Sequence, residues 1–351
     1  MLIDMDYFFV ACEELRRPEI KDKPTIVGFD PKQGEGRGVV MTCNYLARKF
    51  GIRSGMPIST AYRIKPDAVY LPIDYDYYEK MSREAMGVAK RYADRFEQVS
   101  IDEAYIELSR KSIDYDSAVE YAKKIKESIN KETGLPCTIG VSSNKLLAKM
   151  ACEAGKPDGI KLVKEEEAKE FLKGKDLDDL YGIGRKTKEK LEAMGYKTVG
   201  DLAKANTMEL MEKFGSYGVE MQKSANGIDE SKVEENYEVK SIGREKTFER
   251  DTTERTVALA AIRELSNEVI KEVQKAELSF KVVTVKMRYA DFTEHLKSRS
   301  IRRSDQYDDL ASTATDLYSK YASRVKRIRK IGVRVSDLGK EKGQKKINSF
   351  V

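Results

Sequence analysis

The chain is poor in the residues that build the commonest metal and redox centres. One histidine, His295, among 351 residues removes any histidine metal cluster and any His-rich catalytic network. Four cysteines (Cys12, Cys43, Cys137 and Cys152) are far apart and form no Cys-x-x-Cys pair. A disulfide scaffold and a cysteine zinc site are therefore disfavoured, and a reducing compartment fits. No apolar run reaches the length of about 18 residues that a membrane span needs. The start, Met1-Leu-Ile-Asp-Met-Asp, has no basic region and no long apolar segment, so no secretory signal is expected and the cytoplasm is the expected location. No Gly-x-x-x-x-Gly-Lys-Ser/Thr stretch exists, which excludes a P-loop NTPase. An enzyme built from this chain must work with carboxylates, lysines, arginines and hydroxyls.

What is present is charge, unevenly placed. Apolar residues make up 40% and charged residues 35%, enough for real cores under a heavily charged surface in about two to four domains. Residues 240–351 hold 26 Lys and Arg against 16 Asp and Glu, a net of +10. The other 239 residues hold 39 basic against 43 acidic. A positive field confined to the last third attracts polyanions, nucleic acid first, although a solvated basic surface carries the same charge.

Pattern sharpens this. Val283, Val285, Met287 and Tyr289 alternate with Thr284, Lys286 and Arg288, and Ile331, Val333 and Val335 with Lys330, Gly332 and Arg334. Thr293, His295, Lys297 and Arg299 share one parity. Side chains of a strand alternate faces, so each segment is expected to present polar or basic groups on one side. With amphipathic helices at 256–273 and 310–321, residues 241–338 read as an independent α+β domain. His295 is expected on its polar face as an ordinary surface or phosphate-facing residue.

Residues 1–165 mix strands and helices in a strand-helix-strand-strand-helix-strand order, which suggests a split βαβ sheet with an insertion. Residues 166–230 are helical and punctuated by glycine, 231–240 read as a polar linker, and 339–351 as a basic tail. Asp4 falls at the end of the first strand, and Asp102 and Glu103 in the second or third strand of the same sheet. In such a fold the first and third strands are central neighbours, which would bring the three acids together. Clustered buried carboxylates repel one another unless a cation neutralises them, and all-oxygen ligands select Mg²⁺ or Mn²⁺. Adjacent strand residues face opposite ways, so Asp102 and Glu103 can act together only where the strand bends or ends. The plain alternative is that these acids cap turns or pair with Lys and Arg.

Thr42, Tyr45, Arg48 and Lys156 form a candidate phosphate clamp, with Tyr45 and Arg48 on one helical face. Leu180-Tyr-Gly-Ile-Gly-Arg-Lys-Thr-Lys resembles a helix-hairpin-helix. There Gly182 and Gly184 would allow a tight turn whose amides hold a DNA phosphate beside Lys186. Phe214-Gly-Ser-Tyr-Gly reads as a degenerate second copy.

Taken in order, Asp4-Met-Asp-Tyr-Phe-Phe, Asn44-Tyr-Leu-Ala-Arg-Lys-Phe-Gly-Ile, Ser100-Ile-Asp-Glu-Ala-Tyr, Gly140-Val-Ser-Ser-Asn-Lys and Gly155-Lys-Pro-Asp-Gly resemble the motifs of Y-family translesion DNA polymerases of the DinB branch. Ser241-Ile-Gly-Arg-Glu-Lys-Thr-Phe and Arg288-Tyr-Ala-Asp-Phe-Thr resemble that family's C-terminal domain. The resemblance covers about residues 1–338. It implies an α+β, multidomain right-hand polymerase: a ferredoxin-like palm at 1–165 with small fingers inserted at about 16–76, a helix-hairpin-helix thumb at 166–230, a linker at 231–240, and a separate α+β little finger at 241–338. The tail at 339–351 would carry a clamp-binding peptide.

The resemblance also implies roles. Asp4, Asp102 and Glu103, with the Met5 carbonyl, match the ligands of two Mg²⁺ ions, for which Mn²⁺ can substitute. Thr42, Tyr45, Arg48 and Lys156 match triphosphate contacts. Phe9 falls at the steric gate against a ribose 2′-OH, and Phe8 beside the sugar. Arg244, Lys286, Arg288, Lys297, Arg299, Lys330 and Arg334 are expected on DNA. Gln344, Ile347 and Phe350 resemble a sliding-clamp peptide, with Val351 in place of its second aromatic. The expected partners are primer-template DNA, dNTPs and a sliding clamp, and the expected state is a monomer. No segment resembles a proofreading nuclease. Met41 stands where the family often has a small residue over the nascent base pair, and its bulk is expected to narrow lesion tolerance. Cys43 replaces another small residue and is expected only to fill space. The N-terminus starts unusually close to Asp4, which is expected to shorten the first strand.

Overall fold

The structure is a computed structural model and describes residues 1–109, 114–235 and 238–340. It divides into two compact units, Met1–Asn236 and Tyr237–Val351. Among the described residues no helix is long and apolar enough to cross a membrane.

The first unit is built on β1 (Leu2–Met5), after which α1 (Phe8–Arg16) leads into a small insertion. That insertion holds β2 (Thr25–Gly28), β3 (Val40–Cys43), the short helices α2 (Tyr45–Arg48) and α3 (Ile58–Ile64), and β4 (Val69–Leu71). Its three strands form a sheet of their own, ordered β3-β2-β4, around a core of Ile26, Val40, Cys43, Ala47, Ile52, Ile58 and Ala61. Cys43 is fully buried there and fills space as expected. The Asn44 side chain starts α2 by accepting from the Ala47 N–H at 3.0 Å, a standard N-terminal cap.

The chain then returns through α4 (Tyr75–Lys90), β5 (Arg95–Gln98), β6 (Glu103–Glu107), α5 (Tyr115–Thr133), β7 (Cys137–Val141), α6 (Lys145–Gly155) and β8 (Ile160–Leu162). These strands join β1 in a five-stranded sheet ordered β5-β6-β1-β7-β8. The first and third strands are central neighbours, as the pattern required. Alternation along β1 splits the surroundings in two. Ile3 and Met5 enter the large core with α1, α4 and α5, whereas Leu2 packs with Tyr105, Ala148 and Cys152 under α6. Asp4 shares the parity of Leu2 and so faces α6.

Gly140 on β7 lets α6 lie close. A Cβ at this position would fall 2.0 Å from the Ala148 carbonyl oxygen and 2.4 Å from the Cys152 nitrogen. Only a bare backbone allows the helix to rest directly on the strand. The remaining helices of this unit are α7 (Ala168–Lys173), α8 (Arg185–Ala193), α9 (Val199–Ala203), α10 (Thr207–Phe214) and α11 (Ser216–Ala225). They share a core that includes Leu146, Leu147 and Met150 of α6. Gly182, at φ 98°, turns the chain into α8.

The second unit has β9 (Ser241–Thr252), α12 (Arg255–Lys275), β10 (Phe280–Tyr289), β11 (Glu294–Ser304), α13 (Tyr307–Tyr321) and β12 (Ile328–Ser336). Its four-stranded antiparallel sheet is ordered β11-β10-β12-β9. Val283, Val285, Met287, Tyr289, Ile331, Val333 and Val335 form one core with α12 and α13.

Candidate active site

The register of β1 against β6 sets Asp4 directly opposite Glu103. Facing residues of an antiparallel pair have Cα atoms about 5 Å apart. With Glu153 from α6, the carboxylate oxygens of these acids all lie within 4.8 Å of one another. Two ammonium groups sit among them. Lys156 Nζ donates to Asp4 Oδ2 at 2.7 Å and to Glu153 Oε1 at 2.9 Å. Lys149 Nζ donates to Glu103 and lies 3.0 Å from Glu153 Oε1 and 3.6 Å from Asp4 Oδ2.

Asp102 stands one residue before β6, in a bend. Ser100 Oγ donates to its Oδ1 at 2.6 Å, and the Met5 N–H donates to its carbonyl at 2.9 Å. The bend removes the alternation problem, because Asp102 and Glu103 do not belong to one regular strand. Asp102 is not part of the tight trio, yet the charges of Asp4 and Lys156 both act on it.

Burial shapes the electrostatics. It is the main cause that raises the Asp4 pKa, a hydrogen bond shared with Glu103 adds to the rise, and Lys156 opposes it. Burial also raises Asp102, against the hydrogen bond from Ser100. On Lys149 burial pulls the pKa down, but the hydrogen bond to Glu103 and the charges of Glu103, Asp4 and Glu153 outweigh it, and the ammonium is held above its ordinary value. Asp4 and Glu153 do the same for Lys156. On Glu153 burial pushes up, and the two lysines more than offset it. Asp4 and Asp102 are thus short of positive charge, and the ligand atoms offered by the cluster are all hard oxygens without a His or Cys among them. That set fits a small divalent cation.

The other candidates gather nearby. The Tyr45 hydroxyl donates to Asp6 Oδ1 at 3.1 Å, and the Arg48 guanidinium lies 4.7 Å from the Tyr45 ring centre while its Nε donates to the Cys43 carbonyl at 3.2 Å. Thr42 is half-buried on β3. Phe9 keeps 7% of its surface exposed and stacks on Tyr78, with ring centres 4.4 Å apart and planes 13° from parallel. Phe8 is 1% exposed in the main core. Its expected place beside a sugar is corrected accordingly: α1 turns this ring inward, against the sheet.

Comparison with known proteins decides what kind of site this is. Residues 3–153 match the impB/mucB/samB family, residues 239–349 that family's C-terminal domain, and residues 178–229 the DNA polymerase-iota thumb domain. DNA polymerase IV of Methanoculleus marisnigri is 41% identical over 96% of this chain and 93% of its own length. That of Lactococcus lactis is 39% identical over 97% and 94%. A solved Y-family polymerase chimera of Dbh and Dpo4 superimposes with a TM-score of 0.88 at 31% identity, over 97% of this chain and 98% of its own. An insertion ternary complex of Dbh DNA polymerase gives 0.67 at 30%, over 95% and 97%. The chain belongs to the Y family of DNA polymerases. Membership makes it a DNA-directed DNA polymerase of the translesion class that uses divalent metal.

In this Y-family polymerase the second unit splits the residues expected on DNA into two sets. Lys286, Arg288, Lys330 and Arg334 share the open face of the sheet, since Lys286 pairs with Gly332, Arg288 with Lys330, and Arg334 with Thr284. Arg244 is opposite Val333, Lys297 opposite Val285 and Arg299 opposite Val283, so these three lie on the helix-bearing side. There Arg244 pairs with Glu272 of α12, Arg299 lies 3.3 Å from Asp316 of α13, and Lys297 sits over the Tyr321 ring. The expectation that the 293–299 parity faces the polar side is corrected: His295 is an exposed surface residue as expected, but it is opposite Met287 and meets the Tyr289 ring edge-on at 5.3 Å. A strand's own alternation does not say which of its faces meets the helices, and on an edge strand polar residues occupy that side without cost. Gly184 and Lys186 are exposed at the start of α8. Gln344, Ile347, Phe350 and Val351 lie outside the described residues.

Sequence reasoning missed Lys149, Glu153 and Asp6. The first two were within reach, because 149, 153 and 156 fall on one helical face. Asp6 is 1% exposed and accepts from Tyr45, from Thr138 Oγ1 at 2.9 Å and from the Asp158 N–H at 2.9 Å. Only the fold brings those donors to it.

Proposed function

We propose that this protein adds deoxynucleotides one at a time to a primer 3′-OH on a template strand and releases pyrophosphate, without proofreading and with frequent misinsertion. The observation that carries the reading is the opposition of Asp4 and Glu103 on adjacent central strands, with Asp102 in the adjoining bend. These acids and the Met5 carbonyl would hold two Mg²⁺ ions, with Mn²⁺ as a substitute. When bound, such a pair supplies charge neutralisation at both the attacking oxygen and the leaving pyrophosphate.

The chain's own groups do the rest. Arg48, Tyr45, Thr42 and Lys156 bind and orient the triphosphate and offset its developing charge. Phe9, which keeps 7% of its surface exposed and is backed by Tyr78, limits room at the sugar 2′ position. The small β3-β2-β4 sheet encloses the nascent pair loosely, so shape discriminates weakly between right and wrong nucleotides. Lys286, Arg288, Lys330 and Arg334 hold duplex phosphates, and the amides at Gly182 and Gly184 with Lys186 hold another. In this reading residues 1–165 are the palm with fingers at 16–76, 166–230 the thumb, 231–240 the linker and 241–338 the little finger. The protein works as a cytoplasmic monomer, tethered to a sliding clamp through Gln344, Ile347 and Phe350. Deleting residues 344–351 then removes stimulation by the clamp and spares clamp-free synthesis.

The decisive experiment is primer extension with purified protein, Mg²⁺ and dNTPs. Wild-type protein extends the primer, and Asp102→Ala lowers the rate by at least about 10²-fold while DNA binding persists. A cyclic nucleotide product, or DNA binding with no extension by the wild type, would sink the reading.

A further inference from the structure

Lys149 and Glu153 of α6, with Lys156 just past its end, line the side that Gly140 brings down over Asp4. Three carboxylates and two ammonium groups meet there, and each ammonium is shared between Glu153 and the strand acids. The depths differ: the Asp4 side chain is 7% exposed, Glu103 21% and Glu153 49%. Glu153 is the acid on the water side.

The two ammonium groups lie against the very oxygens that a divalent cation needs. A cation entering between Asp4 and Glu103 must displace Lys149 and Lys156 from them. A displaced ammonium in a half-buried cluster requires another anion. Glu153 already contacts both. We propose that Glu153 is a positioning residue that draws Lys149 and Lys156 off the Asp4–Glu103 pair, and so lowers the divalent-cation concentration needed to fill the site. The proposal rests on the metal-dependent reading of the same acids given above. With Glu153 neutral, both ammonium groups are left to Asp4 and Glu103 alone, and the surplus of negative charge among these five groups disappears. Each change works against cation binding. An acid that merely decorated a half-exposed ion pair would leave metal affinity where it was.

The test uses the full chain on primer-template DNA, with Mn²⁺ binding followed by electron paramagnetic resonance. Glu153→Gln is expected to raise the half-saturating Mn²⁺ concentration about tenfold, and Glu153→Asp to recover part of the loss. Lys149→Met improves Mn²⁺ binding several-fold in the Glu153→Gln background and by less than about twofold in the wild type, a non-additivity that reports direct coupling. An unchanged midpoint in Glu153→Gln, or strictly additive effects of the two substitutions, overturns the proposal. If Asp4→Asn binds Mn²⁺ as well as wild type does, the metal-site reading itself fails and takes the proposal with it.

Discussion

The central sheet of the first unit and the sheet of the second both set acids against lysines and arginines, yet the two groups are in different surroundings. On β1 and β6 the charges lie beneath α6, where Lys149 and Lys156 are 14% and 20% exposed and burial raises the pKa of Asp4 and of Asp102. On β9, β10, β11 and β12 the pairs stand on the face away from α12 and α13. Glu245 takes Lys286 and Lys330 at 2.9 Å each, and Glu294 takes Arg288 at 2.9 Å and Lys286 at 3.3 Å. Water reaches this second set, whose side chains are 25–39% exposed, so each pair is weakened and, in the proposed reading, its cation exchanges a carboxylate for a phosphate. The covered set has no such freedom. Its excess negative charge calls for another cation, which is why this cluster is the candidate metal site. Cover by a packed helix, more than residue type, separates the candidate metal cluster of the first unit from the open-face ion pairs of the second.

The largest blow to this contrast should come from Gly140→Ala. An added Cβ cannot coexist with the Ala148 carbonyl 2.0 Å away, so α6 must lift off the sheet. A loss of about 3 kcal/mol is expected in denaturant unfolding, with Mn²⁺ binding impaired as well. A variant of wild-type stability and metal affinity would show that the helix does not set the site.

On the open sheet, Lys286→Ala and Lys330→Ala should each lower the salt slope of DNA binding by about one. Arg244→Ala and Lys297→Ala, on the helix side, should leave it unchanged. Fluorescence anisotropy across a salt series measures both, and equal losses from the two pairs would erase the division of faces.

The smallest expected effect belongs to Met41→Ala. Met41 is half-buried on β3 and packs against the main core. Its removal should cost about 1 kcal/mol and raise bypass of bulky adducts and misinsertion. If neither bypass nor misinsertion changes in primer-extension assays, Met41 does not narrow lesion tolerance.

Much of the framework was legible beforehand because it follows from local pattern. The first strand ending at Asp4, the strand that carries Glu103, and the Val283-to-Tyr289 alternation rest on side-chain periodicity and turn residues. The opposition of Asp4 and Glu103 followed from the order of strands and helices, since few topologies suit that order. What escaped was pairing that local pattern does not encode. Arg244, Lys297 and Arg299 look no different in sequence from Lys286 and Arg334, and only the strand partners Val333, Val285 and Val283 turn them towards the helices. Phe8 and Phe9 are adjacent aromatics, and the fold buries Phe8 almost fully while leaving 7% of Phe9 exposed.

The sequence by itself determined the element order, the neighbours at the sheet centre and the class of ligand atoms. Periodicity and residue chemistry act over a few positions and need no fold. Tertiary structure decided which charges are covered. It laid α6 across the β1 side that carries Asp4, delivered Glu153 and two lysines to the acids, and left Lys286 and Lys330 of the second unit partly exposed on the sheet face away from α12 and α13. Desolvation depends on what packs above a residue, and that is a property of the whole chain.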